Sequence, residues 1–472
     1  MNLQTNKIWC QGASEIAKAV REKIVTCCDV VHAHLERISL VNEQVNAVTV
    51  VLQKEALSLA AELDRMIARN EPLGPLAGLP FTVKENIDLA GSATTFGMIA
   101  MKNAMPAADA PHISQLKRAG AIPIARTNLS EMGLRPHTVN PLRGATVNPW
   151  QADRTPGGSS GGDAVAVATG MAAFGVGNDY GGSLRCPAQF CGVASIKPSL
   201  GRVPDHMSLM PSEPAMTLQL FMSQGPIARC TEDLRLALAC MCGPDARDPR
   251  WVPAPLNNEK SPKPIRVAVT IDPAAQGVDA QVAQGVQQAA HYLADAGYEV
   301  EEVEPPSIMQ AWETWGRLTG VEIGILTIPM VAPFASSDSM KFLRNWADLF
   351  PDKDLPTYME GLAMRNHLAR QWARFMEKYP LILGPVLAAA SPRVGFDVGA
   401  AEDVRQFILD SRLVVIANLL GLPAAVIPVG IADGLPQAAQ IIGARFREDL
   451  CLDAAQAIEH RCGIITPIDL TA

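Results

Sequence analysis

Two short stretches of the chain hold residues able to do nucleophilic chemistry, Gly157-Gly158-Ser159 and Gly181-Gly182-Ser183. Both lie in the segment Thr155 to Pro204, TPGGSSGGDAVAVATGMAAFGVGNDYGGSLRCPAQFCGVASIKPSLGRVP. Glycine lets the backbone take positive φ and bring its N–H groups close to a ligand, so each turn can offer a serine hydroxyl beside unpaired amide donors. An oxyanion in acyl transfer needs that geometry. A serine also needs a base. Lys84 ends the apolar run Leu79-Pro80-Phe81-Thr82-Val83, and a lysine serves when burial or neighbouring cations leave it neutral.

Plainer readings stand beside this one: a pair of tight turns, and a surface lysine where a strand meets a loop. A phosphate cradle fits less well, because neither turn ends in Gly-Lys-Ser/Thr and Gly157 to Gly162 lacks the G-x-G-x-x-G spacing. No G-x-S-x-G elbow is present, so His112, His137 and His206 read as structural or exposed rather than as a triad base.

The elements that must position these groups alternate between helix and strand. Ala164 to Ala173 is small and apolar enough for a buried helix, and Phe174 to Asn178 for the strand after it; both glycine turns then fall at one end of that unit. Ser14 to Leu40 predicts two amphipathic helices and Lys54 to Arg69 a third. The run ending at Lys84 predicts a strand, followed by a helix from His112 to Ala119 and a strand from Ile122 to Ala125. Such alternation predicts an α/β sheet protein with helices on both faces. Beyond a helix from Thr231 to Met241, the proline-rich and charged stretch Asp245 to Lys263 reads as a linker. A βα unit follows, then a largely helical region from Thr314 to Tyr379, strands at Leu381 to Leu383, Ala424 to Val429 and Gln440 to Ile442, and a last helix from Asp449 to His460. The expected organisation is one domain over 1–472, with an N-terminal helical part (1–70), a catalytic core (71–245), a linker (246–263) and the remainder of the sheet with pocket helices (264–472).

Composition narrows the class. The 472 residues are 48% hydrophobic and 19% charged, a folded rather than disordered balance, and the net charge of −8 with no basic tract argues against nucleic acid as a partner. No secretory leader is legible at the start, so the default address is cytoplasmic. The longest uncharged apolar run, Leu413 to Gly430, contains Asn418, Gly421, Pro423 and Pro428 and reads as buried strand and loop rather than a membrane helix. The ten cysteines lack metal-ligand spacing and read as reduced thiols.

The runs PFTVKENID, GGSSGG, GGSLRCPAQFCG with Lys197-Pro198, GPIAR and GLPAAVIPVG occur in this order, and through them the sequence resembles the amidase signature family of amide hydrolases over nearly its whole length. The resemblance implies an amidase signature fold, a central twisted mixed β-sheet covered by helices, and a Ser-cisSer-Lys triad. Ser183 would be the nucleophile, Ser159 the bridging serine after a cis peptide at Gly158, and Lys84 the terminal base. Backbone amides of Tyr180, Gly181, Gly182 and Ser183 would form the oxyanion hole, with Ser160, Asp179 and Arg185 in support. No cofactor or metal is implied. The substrate would be a small amide, with carbamates (urethanes) and esters as extensions through a faint similarity to urethane-cleaving amidases; no membrane partner is implied, and homo-oligomers are left open.

Two departures bear on substrate. Asn178-Asp179-Tyr180 stands where many relatives read Thr-Asp-Thr, and Cys186 stands where the A-type chains of amidotransferases usually carry glutamine. Met132, Arg202, Met207, Met210 and Met330 are the candidate pocket residues, and flexible methionine-rich walls suit bulky apolar groups. The alternatives are the A-type chain of a glutamine-dependent, tRNA-type amidotransferase and an inactive interaction protein on the same fold.

Overall fold

The computed structural model describes residues 5–209, 213–258 and 263–470. The chain opens with three helices, Ala13–Arg21, Cys27–Val45 and Gln53–Ala68, which follow the apolar spacing of the sequence and bury Ile16, Val20, Val31 and Ile38. The second begins where the Thr26 hydroxyl accepts from the Asp29 N–H, satisfying a donor that the first helical turn leaves unpaired.

The strands, in chain order, are β1 (Val48–Val51), β2 (Pro80–Lys84), β3 (Ile122–Thr127), β4 (Val139–Asn140), β5 (Gly144–Ala145), β6 (Phe174–Asp179), β7 (Ala194–Lys197), β8 (Ser223–Ala228), β9 (Arg266–Val269), β10 (Glu299–Glu302), β11 (Leu381–Gly384), β12 (Ala424–Ala432) and β13 (Leu435–Gly443). Eleven form one sheet in the order β1-β3-β2-β6-β8-β7-β12-β13-β11-β9-β10, while β4 and β5 pair separately. The sheet is mixed: β2 runs parallel to β3 and β6, and β8 is antiparallel to both β6 and β7. Its central strands are buried along their whole length, as expected of a sheet covered on both faces. Phe81 on β2 stacks on Phe174 of β6 with ring centroids 5.3 Å apart, locking together the two strands whose ends carry Lys84 and Asp179.

A second apolar cluster lies beside the sheet, where Trp315, Trp346 and Trp372 pack with Leu368, Val415 and Ile416. Here a helix stands where buried strand and loop were expected. The run from Leu413 begins as a helix, Arg412–Leu419, and becomes strand only at β12. Every residue of that helix is buried, so it has no polar face to mark its period, and short apolar runs of this kind do not distinguish helix from strand. No helix among the described residues is long and apolar enough to cross a membrane.

Phe81→Ala would remove one ring of the stack and leave a cavity between β2 and β6. It is expected to cost about 3–5 kcal/mol, seen as a lower midpoint of thermal unfolding.

Candidate active site

Lys84 closes β2 with its side chain fully buried, and its amine meets three oxygens. Nζ lies 2.7 Å from Ser159 Oγ, 2.9 Å from Ser160 Oγ and 2.8 Å from Asn178 Oδ1. Ser159 and Ser160 sit at the start of the helix Gly161–Ala168, after a cis peptide between Gly158 and Ser159. Asn178 comes from β6, and Gly177 before it makes room: a Cβ there would sit 2.6 Å from Ser160 Oγ.

Burial pushes the Lys84 amine down to about 7, against the charges of Asp163 and Asp179, which favour the ammonium. Asp163 is itself pushed up to about 6 by burial, against the hydrogen bond that the Thr82 hydroxyl donates to it at 2.8 Å. Both shifts favour an uncharged pair. A neutral amine has two protons and one lone pair. Asn178 Oδ1 can only accept, so it takes one proton; with the second given to Ser160 Oγ, the lone pair is left for the hydroxyl of Ser159.

The turn after β6 brings Ser183 to the same place, with the Ser160 N–H donating to the Ser183 carbonyl at 3.3 Å. The turn is held from below by Asp179. Its carboxylate accepts from the N–H groups of Gly182 (2.8 Å) and Leu184 (3.1 Å) and from Arg185 through Nε and Nη2, both at 2.9 Å. Burial alone would raise the Asp179 carboxyl, but the Arg185 charge and hydrogen bonds from Arg185 and Asn418 hold it well below the ordinary carboxylate range. Arg185 in turn donates to the Val414 carbonyl, Gln440 Oε1 and Asn418 Oδ1. Gly182 has φ +106°, and a Cβ there would fall 2.7 Å from Val414 and 2.9 Å from the Cys186 sulfur, so only glycine fits.

Gly182 therefore differs from its expected part in an oxyanion hole, since Asp179 already takes its N–H. The amides of Tyr180, Gly181 and Ser183 have no acceptor among the described residues. Ser183 opens on a cleft walled by Leu134, Tyr180, Trp315, Phe342, Trp346 and Phe407. Trp315 and Trp346 stack with centroids 5.3 Å apart, and Phe342 meets Trp346 edge-on. Cys186 also lines the cleft, but burial pushes its thiol up to about 12, which leaves it protonated and a poor nucleophile.

The expected methionine wall is absent from this cleft. Met207 lines a separate cavity with Asn86, Asp88, Asn178 and His206, and Met330 is 58% exposed on the surface. Met132 lies next to the cleft residue Gly133, its N–H spent on the Phe96 carbonyl, and Met210 lies outside the described residues. Arg202 is buried elsewhere, donating to Glu448 at 2.8 Å and to the carbonyls of Ala254, Pro255 and Phe446. Asn178, Asn418 and Gln440 are the polar groups that sequence reasoning passed over. Only Asn178 carried a signal, as the residue at a position where relatives have threonine. No cluster of potential metal ligands occurs among the described residues.

The Amidase family model matches residues 29–452. The chain is 42% identical to an indoleacetamide hydrolase of Bradyrhizobium diazoefficiens over 97% of its own length and 88% of the relative's. It is 31% identical to the A-type chain of the glutamyl-tRNA(Gln) amidotransferase of Geobacillus kaustophilus, covering 95% and 96% of the two chains. Among solved structures, a bacterial aryl acylamidase of the amidase signature family superposes with a TM-score of 0.83 at 26% identity, covering 95% of this chain and 96% of that one.

If Lys84 must be neutral to work, activity should rise with pH through about 7 as the amine loses its proton. The check is a kcat/KM profile from pH 5 to 9, in which the acidic limb should vanish with the residual activity of Lys84→Ala. That variant should lose on the order of a thousandfold in kcat.

Proposed function

The chain belongs to the amidase family, and we propose that this amide hydrolase acts on small amides with an aromatic or otherwise hydrophobic acyl group, through an acyl-enzyme on Ser183. Neutral Lys84 takes a proton from Ser159, Ser159 takes one from Ser183, and Ser183 Oγ attacks the carbonyl carbon. The amides of Tyr180, Gly181 and Ser183 receive the oxyanion as it forms. Run in reverse, the relay protonates the departing nitrogen, which matters because an amide anion leaves poorly. Water then hydrolyses the acyl ester along the same route and restores Ser183.

The substrate class rests on the aromatic wall of the cleft above Ser183. A ring that loses about 100 Å² of apolar surface to that wall gains about 2.5 kcal/mol, or roughly seventyfold in kcat/KM over acetamide. The relative named for indoleacetamide supports the same choice, since its substrate is a flat aromatic group on a primary amide. Arg135 is the lysine or arginine in the lining, and it is spent on the buried carboxylate of Asp397 at 2.8 Å. A cleft so lined offers little to the charged ends of glutamine, which disfavours the amidotransferase reading despite the similarity to the A-type chains. Carbamates and esters share the acyl-transfer chemistry and rank as secondary substrates.

Purified protein assayed with indole-3-acetamide, benzamide, a p-nitroanilide, a dicarbamate, acetamide and glutamine tests the reading. Aryl amides should lead acetamide by about the factor given above. Hydrolysis of glutamine alone, or activity only with a co-purifying partner protein, would reinstate the amidotransferase. Ser183→Ala should abolish turnover and labelling by a fluorophosphonate together; a label that persists on another residue would refute the nucleophile assignment.

A further inference from the structure

Tyr180 lines the cleft, and its hydroxyl enters a buried hydrogen-bonded chain. Its hydroxyl lies 2.7 Å from Thr217 Oγ1, and its ring stacks on Phe221 with centroids 6.2 Å apart. Thr217 and Phe221 are on one short helix, Met216–Phe221. Thr217 gives both its protons to the carboxylate of Glu322, the N–H at 3.0 Å and the hydroxyl to Oε2. Tyr358 donates its hydroxyl to the other oxygen, Oε1. Thr217 and Glu322 are 1% and 6% exposed, so these bonds are sheltered from water.

The direction of the chain follows from the acceptor at its end. A carboxylate accepts, so the Thr217 proton points to Glu322, and the Thr217 oxygen is left to accept from Tyr180. Glu322 is also the last residue of the helix Ile308–Glu322, at the point where the chain passes into a π-helical turn, Ile323–Thr327. Such turns re-aim side chains within a helix and occur often at functional sites. Seven residues earlier the same helix supplies Trp315 to the cleft wall, whose ring would lie 3.2 Å from a Cβ on Gly181.

We propose that Glu322 and Thr217 are positioning residues for the reaction, acting through Tyr180. They hold the Tyr180 ring, and with it the backbone from Tyr180 to Ser183, so that the amides stay aimed at the oxyanion. Asp179 and Arg185 anchor the inner side of the turn; the Glu322 chain anchors the outer side. A threonine at 180 could not reach Thr217 in this way. The proposal rests on Ser183 as the nucleophile, and a failure of that assignment would appear as a label that persists in Ser183→Ala, apart from the kcat comparison below.

The test uses the full-length variants Tyr180→Phe, Thr217→Val and Glu322→Gln, with kcat, KM and thermal midpoint measured on an aryl amide that the wild type cleaves. Each should lower kcat by about tenfold, as loosened oxyanion donors do, with KM within about twofold of wild type. The deciding readout is the double variant Tyr180→Phe/Glu322→Gln. If Glu322 acts through Tyr180, its kcat is no lower than that of the worse single variant. Losses that multiply in the double variant, unchanged kcat in Tyr180→Phe, or a kcat loss present only in variants with a lowered thermal midpoint would each overturn the proposal. Should Glu322→Gln fold poorly, the same cycle runs with Thr217→Val in its place.

Discussion

A lysine amine with no access to water governs the design of this site. Burial strips Lys84 of hydration and favours its neutral form, and three oxygens around it then decide where its lone pair points. Two of them come from the turn before Gly161–Ala168 and one from β6, so the helix and strand on either side of Gly170 must end at a common level. The long apolar strands around β2 keep that level dry. A lysine here could not be exchanged for arginine, whose guanidinium stays charged under any burial a protein imposes.

The second demand is a turn that exposes amides while staying rigid. Donors left free for the proposed oxyanion cannot also brace the turn. The bracing falls to the buried Asp179–Arg185 pair, in which every donor and acceptor has been matched by Asn418, Gln440 and a backbone carbonyl. Breaking such a pair by deleting one partner leaves an unmatched charge in the interior, a far larger loss than the pair's net contribution. The pair therefore gives geometry more than stability.

Much of this was legible in the sequence, for local reasons. The helices at the N-terminus announce themselves through apolar spacing, and Lys84, Ser159 and Ser183 stand out because glycine turns and a strand-end lysine form patterns within a few residues. What escaped notice depends on long-range packing. Asn418 and Gln440 sit among apolar neighbours and look like stray polar residues until Arg185 is beside them. The cleft wall was expected from methionines because they are frequent in the right segments, but frequency carries no direction. Met330 turns outward, while Trp346, from the same region, turns in. The buried helix Arg412–Leu419 was missed because its outer face is as apolar as its inner one.

The strand order gives the molecule a temporal property. β7 lies beside β12, and Arg185 finds its partners 229, 233 and 255 residues further along the chain. Contacts of such separation close late, after the entropy of long loops has been lost. A ribosome-bound chain that has emerged only as far as Met364 would hold Lys84 and both serines yet have nothing to occupy the far side of Arg185. The brace around Arg185 is thus completed only by residues near the far end of the chain.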